Sequence, residues 1–99
     1  MNIPYDVEVV FHFITSRKIF DGYRPAHKIK DDYLTTGKHH YYNLNGNMKN
    51  VKGTITFLSP EYYPNSLWIG KKIEMYEGHE FIGYAEILKI NNPILDSKI

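Results

Sequence analysis

The chain has 99 residues, with 12 Lys and Arg residues against 11 Asp and Glu residues, so its formal net charge is +1. It therefore has no basic excess that would direct it to nucleic acid or to an acidic membrane surface. It contains no Cys, which excludes disulfide bonds and thiolate metal sites, and its length predicts a single domain.

The N-terminal segment resembles neither a secretory signal nor a membrane anchor. Residues 1–6 lack a basic region followed by an apolar one. No apolar run in the chain approaches the roughly 20 residues that a membrane-spanning helix requires. We therefore expect a cytoplasmic protein that does not associate with a membrane.

Alternation of apolar and polar residues predicts short strands and no helix. In the first strand, Val7, Val9, Phe11 and Phe13 share one face. Turns are expected at Asp21-Gly22, at 35–37, at 45–47 and at 77–80. Six short strands without a helix are typical of a barrel or a sandwich. The first four predicted strands span residues 6–15, 26–33, 38–44 and 51–58. Gly70 leads into the fifth, and the sixth follows the turn at 77–80.

Small residues suggest where strands pack closely. Gly83 and Ala85 are two positions apart, so both lie on one face, where another backbone is expected to approach. Gly53 is a candidate β-bulge. Trp68 or Ile69 is expected to anchor the irregular, Pro-containing segment 59–67 on the core. The tail after residue 93 is expected to fray or to lie along the barrel end.

Three stretches of the chain are similar to a known family. Phe20-Asp21-Gly22-Tyr23-Arg24-Pro25 resembles the Phe-x-Gly-Tyr-Arg-Pro motif of the C-terminal β-barrel domain of elongation factor Tu, its third domain. Glu77-Gly78, Ile82-Gly83 and Lys89-Ile90 match the last hairpin of that domain without a gap. Leu58-Ser59-Pro60 lies where that family has an apolar residue, then a polar residue, then Pro. The resemblance implies an all-β fold, a closed six-stranded antiparallel Greek-key barrel.

The resemblance covers about residues 6–90, which we take as the core of one domain spanning 1–99. The chain has no Gly-x-x-x-x-Gly-Lys-Ser/Thr loop, so we expect neither GTP nor another cofactor to bind. In the family this domain contacts the GTPase domain, the nucleotide exchange factor and the T-stem of tRNA. The resemblance places Glu80 and Ser59 where the family has basic or histidine residues facing tRNA, so tRNA binding is expected to be lost.

The histidines do not form an obvious metal site. His39 and His40 are adjacent in a predicted strand and point to opposite faces. His27 could approach one of them from a neighbouring strand, with His12 joining, but zinc requires three or four converging ligands. Among the carboxylates, the pairs Asp31-Asp32 and Glu77 with Glu80 lie at turn edges, where they are usually solvated. No Ser lies in a Gly-x-Ser-x-Gly motif. We therefore expect no metal site and no catalytic residues.

Aromatic residues give the candidate binding positions. Tyr41-Tyr42 and Tyr62-Tyr63 each place one ring inward and one outward in extended backbone, and the outward rings could form a patch with Trp68. Tyr23-Arg24 either pins a barrel corner or forms a binding edge, since Tyr and Arg are frequent in binding hot spots. The candidate binding residues are Tyr23, Arg24, Tyr62, Tyr63, Trp68, His79 and Glu80.

These observations favour a non-catalytic protein-binding module. The resemblance suggests that it imitates the elongation-factor barrel or competes with it for protein partners. One alternative is an RNA- or tRNA-binding accessory protein of translation. A second, weaker alternative is an enzyme whose site the sequence does not reveal. A contiguous basic face would favour RNA, whereas an apolar aromatic patch would favour a protein partner.

Overall fold

The computed structural model describes residues 4–43 and 50–98, and six strands in these ranges form one closed antiparallel barrel. The strands are β1 (Val7–Phe13), β2 (Ala26–Lys30), β3 (Tyr33–Tyr41), β4 (Val51–Phe57), β5 (Lys72–Glu77) and β6 (Glu80–Ile90). Their order around the barrel is β1-β4-β3-β2-β5-β6, and β6 pairs with β1 to close it. Because β2, β3 and β4 are consecutive neighbours and β1 lies beside β4, the topology is a Greek key. The predicted fold class is confirmed.

The helical content of the described residues is limited to two short 3-10 helices, Pro60–Tyr62 and Pro93–Leu95. A Pro begins each of them, where its fixed φ suits a helical turn and its missing N–H is not needed. None of the helices in the described ranges is long and apolar enough to cross a membrane.

Alternate strand residues fill the barrel interior. Val7, Val9, Phe11 and Phe13 of β1 are all buried, as the alternation predicted. Gly83 is also buried, and Ala85 is fully so; both therefore lie on the predicted inner face. A Cβ added at Gly83 would collide with the backbone carbonyl of His12 on β1, and its φ is +138°. Only glycine allows the two strands to approach this closely.

The predicted turn at residues 35–37 is wrong. β3 begins at Tyr33, so these residues lie within the strand, and the chain turns earlier, at Asp32, whose φ is 62°. Asp tolerates this left-handed conformation, whereas the two β-branched Thr residues that follow favour extended backbone. Gly37 faces the barrel interior, where an added Cβ would lie 2.6 Å from Cγ2 of Ile55 and 3.0 Å from the ring of His27.

Two further expectations about local structure are wrong. Gly53 makes no bulge: it pairs in regular register with Val9 and Tyr41, and its missing Cβ accommodates the carbonyl of a neighbouring strand. Trp68 and Ile69 do not anchor their segment, since Trp68 is 48% exposed and Ile69 is 57% exposed. The anchor is the preceding residue, Leu67, which is fully buried.

The predicted turn at 45–47 lies outside the described residues, as does the predicted end of the third strand at residue 44. In the described part of the chain, β3 ends at Tyr41.

Asp6 joins the beginning of the barrel to the tail. Its carboxylate accepts hydrogen bonds from the backbone N–H of Phe57 (2.6 Å) and the side-chain amide of Asn92 (2.9 Å). Its backbone carbonyl accepts from the N–H groups of Asn91 and Asn92. Leu95 is fully buried, so the tail packs along the barrel end, one of the two arrangements expected for it.

Candidate functional site

Tyr23 is a buried structural contact at the barrel corner. It is 8% exposed, and its hydroxyl donates a 2.5 Å hydrogen bond to Oε1 of Glu77 at the end of β5. Burial raises the pKa of the Tyr23 hydroxyl, and the Glu77 carboxylate raises it further. The hydroxyl is therefore a neutral donor that ties the Phe20-to-Pro25 motif to the last hairpin, in agreement with the pinning role. The neighbouring Arg24 is exposed.

Glu80 begins β6 and forms an ion pair at the surface. Its Oε1 lies 2.9 Å from a guanidinium nitrogen of Arg17, and its Oε2 accepts a 3.4 Å hydrogen bond from Thr15. The Glu80 carboxylate raises the pKa of Arg17, first by hydrogen bonding and then by charge. Both side chains are about half exposed, so salt screens this pair and its contribution to stability is small.

Tyr62, the last residue of the first 3-10 helix, and Tyr63, which follows it, have opposite environments. This was predicted for extended backbone, whereas the backbone at Tyr62 is helical. Tyr63 is 1% exposed and donates a 2.7 Å hydrogen bond to the carbonyl of Leu58, whereas Tyr62 is 71% exposed. Burial raises the pKa of Tyr63 to about 12. Trp68 lies apart, with Nζ of Lys71 placed 4.5 Å from its ring centre.

The rings of the predicted outward patch are exposed but do not touch one another. Among the described residues, no ring contact joins Tyr42, Tyr62 and Trp68. Tyr42 instead contacts the ring of His40 and donates a hydrogen bond to Glu8.

The structure brings Tyr62 and His79 to one surface that was not predicted from the sequence. Two cavities of about 420 and 520 Å³ adjoin on the outer face of β2 and β3, where they share Tyr33 and Leu34. We call this surface the β2–β3 groove. Its other lining residues are Lys28, Asp32, Tyr76, Gly78 and His79 in the first cavity, and Ala26, Thr35, Thr36, Leu58, Ser59 and Tyr62 in the second.

The end of β4 shapes the apolar half of the groove. Ser59 has a left-handed φ of 52°, and Pro60 then begins a 3-10 helix, so the chain leaves the sheet after Leu58. This places Leu58 and Tyr62 beside Leu34 of β3. The exposed fractions of these three residues are 63%, 71% and 57%. Large apolar side chains exposed together in a concave surface are typical of interaction sites.

A chain of hydrogen bonds connects two histidines and a tyrosine inside the barrel. Nε2 of His27 lies 2.8 Å from Nε2 of His39, and Nδ1 of His39 lies 2.8 Å from the hydroxyl of Tyr41. Both histidines are fully buried. Burial lowers the pKa of His27 to about 4. Burial, and then the neighbouring His27, lowers the pKa of His39 well below 6.5, so both rings are neutral.

The proton positions in this chain follow from counting donors. If Tyr41 donates to Nδ1 of His39, then Nε2–H of His39 donates to Nε2 of His27. His27 then carries its proton on Nδ1, close to the carbonyls of Pro25 and Thr35, which favour a proton on this ring. Neither carbonyl makes a well-formed hydrogen bond with it, since this nitrogen has no partner among the described residues. In the reverse direction, the hydroxyl proton of Tyr41 would have no acceptor among the described residues.

This arrangement is a core hydrogen-bond chain. The expected approach of His27 to one of the adjacent histidines is confirmed, because it meets His39. The expectation that His12 joins them is wrong, since its ring stacks on Tyr84, 4.6 Å away. The described part of the chain contains no cluster of three side chains suited to hold a metal ion.

Part of the site was visible in the sequence. Alternation places His27 on the face of Ile29, and His39 on the face of Tyr41, so inward histidines were predictable. The groove was missed because its central residue, Leu34, fell between a predicted strand and a predicted turn. The sequence signal that could have indicated the groove is Leu34 itself, a large apolar residue on the otherwise polar outer face of β3.

The chain was compared with models of known protein families, with curated proteins and with solved structures, and none of these comparisons gave a match. The resemblance to the elongation-factor barrel therefore stays a prediction based on short stretches at residues 20–25, 58–60 and 77–90.

Proposed function

We propose that this chain is a non-catalytic protein-binding module whose partner packs apolar side chains into the β2–β3 groove. The observation that carries the proposal is the joint exposure of Leu34, Leu58 and Tyr62 in one concave surface. Full burial of a Leu side chain contributes roughly 1.5–3 kcal/mol, so a partner that covers Leu34 and Leu58 gains favourable free energy from their burial. The charges in the groove, Lys28 and Asp32, are few and of opposite sign.

The proposal includes a narrower form, in which the module imitates the third domain of elongation factor Tu or competes with it in the cytoplasm. The closed six-stranded Greek-key barrel supports this form. So does the hydrogen bond from Tyr23 to Glu77, which connects two of the three similar stretches. Glu80 supports a loss of tRNA binding, because Arg17, its neighbouring cation, is already paired with it.

Site-specific photo-crosslinking tests the groove. The photo-reactive residue p-benzoylphenylalanine is placed at position 62, inside the groove, and separately at position 69. Ile69 is a matched control because it is also an exposed apolar residue (57%) but does not line the groove. Irradiation in cells should give a protein adduct from position 62 that is absent from position 69. Leu34→Lys, which places a charge in the groove, should abolish it.

The possible results separate the alternatives. An adduct that nuclease removes identifies RNA as the partner and overturns the proposal. Equal adducts from positions 62 and 69, or none from either, also overturn it. Adding purified elongation factor Tu to the lysate tests the narrower form, since a shared partner requires the adduct at position 62 to decrease. An unchanged adduct refutes competition and leaves the groove as the binding site.

A further inference from the structure

The edge of β3 that borders the groove has backbone groups without a strand partner. β3 pairs with β2 with Ala26 opposite Thr36 and Lys28 opposite Leu34. The N–H of Gly37 donates to the carbonyl of Pro25 on the β2 side. Because backbone groups alternate in direction along an antiparallel strand, those of Leu34 and Thr36 point away from β2.

On the other side of β3, pairing with β4 stops early. The N–H of Leu58 donates a 3.0 Å hydrogen bond to the carbonyl of Thr36, and the chain then turns away at Ser59. The carbonyl of Leu58 is already an acceptor for the hydroxyls of Thr35 and Tyr63. In the described ranges, this register leaves three backbone groups without a partner: the N–H of Thr36 and both the N–H and the C=O of Leu34.

These open groups and the apolar side chains belong to the same surface. Leu34 and Thr36 line the 520 Å³ cavity together with Leu58 and Tyr62. The cavity thus occupies the position that β4 would fill if it continued past Leu58. A ligand that satisfies this surface must supply a backbone donor and acceptor beside β3 and an apolar side chain over the Leu and Tyr residues.

We propose that the groove binds an extended segment of a partner protein as an added β-strand along residues 34–36. This inference rests on the proposed function and specifies its partner. A parallel segment would donate to the C=O of Leu34 and accept from the N–H of Thr36, whereas an antiparallel segment would use both groups of Leu34. Main-chain bonds of this kind supply affinity, and the pocket for alternate side chains supplies specificity. The bound segment carries an apolar residue that packs against Leu58 and Tyr62.

Amide hydrogen exchange measured by NMR tests the open edge on the unmodified protein. In the free protein, the amides of Leu34 and Thr36 should exchange quickly, while the amide of Thr35 between them, which points to β2, exchanges slowly. Slow exchange at all three amides would show that the edge is already paired and would overturn the proposal.

Binding is tested with a phage-displayed library of peptides of about twelve residues, selected on the folded protein. The best peptide should slow exchange at the Leu34 or the Thr36 amide. Leu34→Pro or Thr36→Pro removes one outward N–H, and one of the two variants should bind at least about tenfold more weakly than its matched Ala variant. Retained slow exchange at the Thr35 amide verifies that each variant still pairs with β2.

The outcomes distinguish the two proposals. Tyr62→Lys should abolish peptide binding if the groove is the site. If it does so while both Pro variants bind like their Ala controls and neither outward amide gains protection, strand addition is refuted and the groove remains. If Tyr62→Lys also has no effect, or if no peptide is enriched, both proposals fail. A dimer of this chain formed through the groove would likewise overturn the assignment to a partner protein.

Discussion

The buried pair of His27 and His39 should make the barrel sensitive to mild acid. In the folded state, burial lowers the pKa of His27 from 6.5 to about 4, so the neutral ring is favoured and protonation favours unfolding. The stability associated with the neutral His27 ring is fully present above pH 6.5, and it decreases as the pH falls from 6.5 towards 4. Between about pH 7.5 and pH 5, this one histidine should cost about 2 kcal/mol of unfolding free energy. His39 changes the stability in the same direction.

The assay is urea denaturation at these two pH values. The dependence of the unfolding free energy on urea concentration should be the same at both, which checks that unfolding remains two-state. The double variant with His27→Gln and His39→Gln removes both buried rings, so it should lose much less stability between the two pH values than the wild type. His79→Gln is the matched control: it removes an exposed histidine outside the core and should behave like the wild type.

NMR of the ring nitrogens gives a second measurement that needs no variant. His27 should carry its proton on Nδ1 and His39 on Nε2, and neither ring should titrate between about pH 7.5 and pH 5. A His27 ring that titrates near pH 6.5 would refute the reasoning. An equal loss of stability in the wild type and in the double variant would refute it as well.

Three other predictions concern the core, the corner and tRNA. Ala85→Leu should overpack the barrel interior and destabilise it by roughly 1–3 kcal/mol, so an unchanged urea midpoint would place Ala85 outside the core. Tyr23→Phe removes the hydrogen bond to Glu77 and should cost about 1 kcal/mol in the same assay, whereas no loss would show that the corner is held by packing alone. Titration of labelled tRNA at physiological salt should show no saturable binding tighter than about 10⁻⁶ M. A gain of tRNA binding in Glu80→Arg would show that a single charge has switched off an otherwise retained surface.

The strands that alternate clearly were predictable from the sequence, and the turn between β2 and β3 was not. Val7 to Phe13 alternates without interruption, so its inner face followed directly. In contrast, Gly37 looked like a turn residue but lies within β3, where a Cβ would come too close to Ile55 on β4 and to the ring of His27 on β2. Those contacts join different strands, and local sequence preference does not contain them. Closure of the barrel was implied by the family resemblance, since the alternation allowed a sandwich equally.

The candidate site depended even more on contacts that are distant in sequence. Alternation placed His27 and His39 in the interior, but their meeting required β2 to lie beside β3. The groove required the chain to leave the sheet at Ser59. Pro60 marked the end of the strand, but the left-handed conformation of Ser59, a non-glycine residue, was not predictable from the sequence. The inward-facing residues were therefore predictable from alternation in the sequence. The residues that meet on the outer surface depend on the strand order, which alternation does not give.

The position of β1 between β4 and β6 delays the completion of the fold during synthesis. Both neighbours of β1 come from the second half of the chain, and β6 ends at Ile90. At about 5–20 residues per second, a ribosome needs about 4–15 s to extend the chain from the end of β1 to the end of β6. During that interval Val7, Val9 and Phe11 have no closed interior to enter. Both edges of β1 can pair with other chains until β4 is synthesised, and the edge that faces β6 can do so until the last strand is complete. Nascent chains halted before β6 should therefore remain open and depend on a chaperone, and the barrel forms only once its last strand has emerged.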